Sequence, residues 1–180
     1  MIGVKDVFYQ ALEDIRIKYV DYQFMVDRDI AWMIQRKMTE LIEVLDLPYE
    51  VFQDYPLEKG HRRNNGHTLM IVSRGLNYKD VLGNKEAVEV MIKIKYEPSK
   101  YRHDICDYQL PRVKPMDVVE DISELERLVH DKKTNVGISL LVDECGRYLN
   151  RIGQTQHTKW IEWGNYKDDG LNVNVLLTEF

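Results

Sequence analysis

The sequence predicts an α/β fold in which a mixed central β-sheet is flanked by helices. Three patterns predict it. Two amphipathic helical stripes open the chain, three strand-like runs follow, and a further helical stripe stands between the third run and a fourth. At 180 residues, with 44% hydrophobic and 31% charged, the chain is long enough to bury a core and too apolar for disorder.

Val4, Val7, Phe8, Ala11, Leu12 and Ile15 recur at spacings of three and four, which predicts a helix over residues 4–20. A second stripe runs through Ile30, Met33, Ile34, Met38, Leu41, Ile42 and Leu45, with Asp27 or Asp29 as its N-cap. Pro48 disfavours helix in the residue before it, so the helix stops by Asp46–Leu47. Tyr49 to Tyr55 alternates and halts at Pro56, as a strand does.

A basic, turn-rich loop then leads to the apolar run 68–73, a second strand, and Gly75 to Glu86 reads as another loop. Val88 to Tyr96 alternates strictly. Val88, Val90, Ile92, Ile94 and Tyr96 share one face, and Glu89, Met91, Lys93 and Lys95 share the other. A polar stretch reaches Pro115, and Asp117 with Glu120 resembles a capping box ahead of Val118, Ile122, Leu125 and Val129. Val136 to Val142 is a continuous apolar strand. Arg147–Arg151 is its predicted partner across a tight turn, and Trp160–Trp163 with Val173–Leu177 forms a last pair at the sheet edge. A helix joining two strands implies a crossover, hence a partly parallel sheet.

Net charge is −5, which argues against general attraction to nucleic acid. Its distribution is uneven: Lys59 to Lys114 carries +6 and the remainder −11. Cys106 and Cys145 lack any paired spacing, so both read as free thiols of a reducing compartment, and a cytoplasmic location is expected. The N-terminal residues lack the apolar run of a signal peptide, and no stretch approaches the roughly 18 apolar residues of a spanning helix, so no membrane partner is expected. The five histidines show no metal-ligand spacing, and Gly-x-Ser-x-Gly, the P-loop and GxGxxG are all missing.

Three stretches carry a family resemblance: MVDRDIAWMIQ at Met25–Gln35, YEVFQDYPL at Tyr49–Leu57, and IKYEPSKYRHDI at Ile94–Ile105. VGISLLVDECGRY at Val136–Tyr148 fits more loosely. With the element order, they make the chain similar to a group of uncharacterised bacterial proteins in the PD-(D/E)XK, or restriction-endonuclease-like, superfamily. The resemblance spans roughly residues 25–165. It implies one domain over 1–180, with an N-terminal helix in 1–24, a nuclease-like core in 25–165 and a C-terminal edge strand in 166–180.

Such nucleases place an Asp on the second strand and E-x-K on the third. The carboxylates bind Mg²⁺, which activates water against a phosphodiester, and the lysine stabilises the charge that develops. Here the triplet reads Lys93–Ile94–Lys95, and the second strand offers His67–Thr68 where the Asp belongs. Two ammonium groups on one face would repel a divalent cation.

The resemblance therefore implies a binding or regulatory module with a degenerate metal site and no cofactor. The alternative is an active, Mg²⁺-dependent nuclease with relocated acids, its site drawn from Lys95, Glu97, Glu40 and Asp80. A basic groove for nucleic acid would use Arg62, Arg63, Lys93, Lys100 and Arg102, with tyrosines as stacking surfaces. The bland reading of Lys93 and Lys95 is an ion pair with Glu40 or Glu43 of the second helix. A third reading is a structural protein, a homo-oligomer paired through edge strands near the C-terminus.

Overall fold

The structure is a computed structural model that describes residues 3–54, 67–76, 88–104, 106, 109–166 and 171–180. Helix α1 (Val4–Ile17) and a 3-10 turn (Tyr19–Asp21) precede α2 (Asp27–Val44). Strands β1 (Tyr49–Gln53), β2 (His67–Ser73) and β3 (Val88–Glu97) follow. A short helix α3 (Lys100–Asp104) and the longer α4 (Pro115–His130) lead to β4 (Val136–Asp143), β5 (Thr158–Tyr166) and β6 (Leu171–Glu179).

The six strands form one mixed sheet in the order β1-β2-β3-β4-β6-β5. β1, β2 and β3 are an antiparallel meander, β3 and β4 run parallel, and β6 joins β4 and β5 antiparallel to both. The single parallel pair is where α4 makes its crossover, as the sequence order predicts.

The β3 alternation decides which helix covers which face. Ile92, Ile94 and Tyr96 join Ile138, Leu140 and Val142 of β4 in a core with Val7, Phe8, Ile15, Ile30, Ile34 and Met38 of α1 and α2. The opposite face is covered by α4, whose Leu125 and Leu128 pack with Met70 and Met91. Gly137 allows this approach: a Cβ there would stand 3.1 Å from Leu125 Cβ and 3.2 Å from Val129 Cγ2. Among the described residues no helix is long and apolar enough to cross a membrane.

Four expectations are corrected. The N-cap of α2 is Val26, and Asp29 instead sits in the first turn and accepts from the Met25 and Val26 amides at 2.8 and 3.0 Å. Helix α4 starts with Pro115 at its first position and has no side-chain cap. Residues 147–151 form turns, not a strand. The Asp143 carboxylate there accepts from the Cys145 amide at 3.2 Å and the Tyr148 amide at 2.8 Å, which curls the chain back on itself. The C-terminal strand β6 is interior, between β4 and β5; the edge is β5, which carries a bulge between Glu162 and Gly164. On β6, Val173, Val175 and Leu177 pack into the core under α1 and α2 while Leu176 packs on the opposite face, so the strand is covered on both sides, as an interior place allows.

Candidate functional site

The centre to which the sequence points lies under α4. On β3 the inward positions facing this helix are Met91, Lys93, Lys95 and Glu97, so burial brings two ammonium groups beneath a helix. The helix answers them. Its buried positions are Val118, Asp121, Leu125 and Leu128, so an acid stands within its apolar stripe.

Lys93 Nζ donates to Asp121 Oδ1 at 3.0 Å and to Glu124 Oε2, while Lys95 Nζ lies 3.3 Å from Asp121 Oδ2. The side chains of Lys93, Lys95 and Asp121 are 11%, 15% and 10% exposed, and that of Glu124 is 44% exposed. Burial pulls the Lys93 pKa down, but the Glu124 hydrogen bond and the Asp121 charge outweigh it and hold the ammonium above its ordinary value.

Thr68 is the register partner of Lys93 on β2, and Ser139 its partner on β4. Thr68 and Lys93 therefore lie directly opposite each other on neighbouring strands. The side chains of this centre do not fit a divalent cation. Two of its four charged side chains are ammonium groups, and Asp121 already has one on each oxygen. Among the described residues no group of three His, Cys, Asp or Glu side chains is placed to hold a metal ion.

The carboxyl ends of β3 and β4 hold a second polar layer. Glu97 and Asp143 are register partners, and Glu97, Asp143 and Glu144 are all fully buried. Glu97 accepts from Arg147 Nη1 and from the Val113 amide at 2.8 Å. Glu144 Oε1 accepts from Tyr19 Oη at 2.9 Å and Arg102 Nε at 3.2 Å, and Oε2 accepts from the Ser99 amide at 2.9 Å. Arg102 Nη2 donates onward to the Tyr22 carbonyl at 3.2 Å. Burial lowers the Arg102 pKa, but Glu144 offsets this and leaves it raised. Burial first, then the Glu144 charge, raises Tyr19 well above its ordinary value.

These contacts place most of the expected site residues. Lys93 and Lys95 come together, but with Asp121 and Glu124 rather than with Glu40 or Glu43. Glu40 lies on α2, across the sheet, where it pairs with Arg36 and Lys37 at 2.9 and 3.5 Å. Glu97 reaches the strand end but is committed to Arg147 and Val113. Arg102, expected to line a groove, is 3% exposed because Glu144 draws it inward. Lys100 is exposed at the start of α3. Arg62, Arg63 and Asp80 lie outside the described residues. Sequence reasoning missed Asp121, whose signal is an acid three residues after Val118 and four before Leu125. It also missed Glu144 and Arg147, which have no local signal.

Searches of family models, curated proteins and solved structures find no match to this chain.

Proposed function

We propose that this chain is a non-catalytic binding or regulatory module on a restriction-endonuclease-like sheet, with an internal ion-pair cluster where a nuclease metal site would stand. The observation that carries the reading is the Lys93 ammonium held between Asp121 and Glu124. A fixed cation satisfies the acids that a mobile one would otherwise bind, and the cluster is formally neutral.

The antiparallel meander, the parallel β3–β4 pair and the crossover helix support the fold part of this reading. The Thr68–Lys93 register supports the placement of the lost motif.

Calorimetric titration with Mg²⁺ and Mn²⁺, paired with incubation of the chain with single- and double-stranded DNA, tests the proposal. The expected result is neither saturable metal binding at micromolar levels nor metal-dependent cleavage. Micromolar Mn²⁺ binding, or cleavage that Lys95→Ala abolishes, would overturn it.

A further inference from the structure

A cavity of about 590 Å³ opens on the α2 side of the sheet, lined by Asp21, Tyr22, Gln23, Phe24, Arg28, Asp29, Trp32, Met33 and Gln53. That volume suits a small organic ligand. β1 runs antiparallel to β2, and β2 to β3, so β1 and β3 point the same way; Gln53 pairs with Leu69, and Leu69 with Ile92, which sets the end of β1 level with the middle of β3.

The wall is built rather than loose. Tyr96 Oη donates to the Phe24 carbonyl at 3.0 Å, Arg102 Nη2 to the Tyr22 carbonyl at 3.2 Å, and the Asp29 carboxylate clamps the Met25 and Val26 amides. Anchors from β3, α3 and α2 thus hold residues 22–26 in place.

Four side chains at the opening, Asp21, Gln23, Arg28 and Trp32, are exposed. Trp32 is 52% exposed, far more than a ring of its size normally is. The Arg36 guanidinium lies 5.7 Å from its ring centroid. Among the described residues, the side chains of Asp21, Gln23 and Arg28 make no hydrogen bond or ion pair. The wall therefore offers a flat aromatic surface, a free guanidinium, and a carboxylate beside an amide. Bare phosphate would leave the ring unused, and a neutral arene would leave Arg28 unused. Two carboxylates in the wall disfavour a polyphosphate.

We propose that this cavity binds a nucleoside monophosphate with an amino-bearing base: the base on Trp32, its exocyclic amine toward Asp21 and Gln23, and its phosphate on Arg28. The cavity lies across the sheet from Lys93 and Asp121, so this proposal stands or falls separately from the metal titration.

Calorimetry on the full chain with AMP, IMP, adenosine, inorganic phosphate and a short 5′-phosphorylated oligoadenylate tests it. AMP should bind saturably, and no more weakly than the oligoadenylate. It should bind more tightly than IMP, which lacks the amine, and more tightly than adenosine or phosphate. Trp32→Ala should weaken AMP binding about tenfold, the scale of one base–aromatic stack. Arg28→Gln should bring AMP down to the level of adenosine, and Asp21→Ala should erase the preference over IMP. All three side chains are exposed, so the variants should keep the wild-type melting transition. The proposal is overturned if AMP fails to saturate at millimolar concentration. Binding that survives Trp32→Ala, equal binding of phosphate alone, or tighter binding of the oligoadenylate would also overturn it.

Discussion

Lys93 and Asp121 meet at 3.0 Å beneath α4, and the second oxygen of the same carboxylate reaches Lys95, so one acid serves two cations in a nearly dry place. Removing one partner of such a set leaves a buried charge without compensation, which costs about 3–5 kcal/mol. Asp121→Ala should therefore lower the urea unfolding free energy by about that much, with an unchanged m-value. Replacing Lys93 and Lys95 by Met together with Asp121→Leu should recover most of the loss. A triple variant no more stable than Asp121→Ala would show that the cluster is not what the single change disturbs.

The Lys93 pKa lies above its ordinary value of 10.5 in the folded chain. A cation whose folded pKa is raised contributes stability that is complete below the unfolded pKa and fades as pH climbs through the folded one. The stability difference between wild type and Lys93→Met should thus be flat from neutral pH up to about 10 and shrink above it. Tyr19 and Tyr96, raised chiefly by burial, add alkaline sensitivity of the same sign, but both chains share it and the difference cancels it. A difference that grows with alkalinity would contradict the pairing.

Glu144 ties Tyr19 to Ser99 and Arg102, joining two segments that lie about 80 residues apart in the chain. Glu144→Gln keeps the shape but leaves Arg102 without its charge partner, and should cost about 3 kcal/mol in a denaturant titration. Arg102→Lys should also be costly, since an ammonium cannot span the Glu144 carboxylate and the Tyr22 carbonyl as the guanidinium fork does. Hydrogen exchange should then quicken around residues 22–26, which Arg102 helps to hold.

Cys145 is exposed, yet burial around its sulfur and the neighbouring Asp143 charge raise its pKa to about 11. Alkylation depends on the thiolate, so iodoacetamide should modify Cys145 slowly at pH 8 and faster up to about pH 11. A rate that levels off near pH 8.5 would place the thiol in a different environment.

Much of the fold was legible because the β3 and α2 patterns are strong. The failures have local causes. Arg147–Arg151 follows a tight turn, where a partner strand is expected, but the Asp143 carboxylate captures the Cys145 and Tyr148 amides and the segment forms turns. Helix α3 has no apolar stripe; one of its five residues, Arg102, is anchored by an acid 42 residues away. The site was half legible. The two lysines stand out in the alternation of β3, whereas their partners sit on a helix whose apolar stripe was traced through Ile122 rather than Asp121.

By itself, the sequence determined the two opening helices, the first three strands, the crossover helix and the strand after it, since hydrophobic period is a property of neighbouring residues. It also placed Lys93 and Lys95 together on one face of β3. Only the tertiary structure decided that α4 rather than α2 roofs those lysines, that β6 rather than the preceding turn pairs with β4, and that Arg102 faces inward. Each of these depends on which distant groups meet, and charge compensation between elements leaves no periodic trace along the chain.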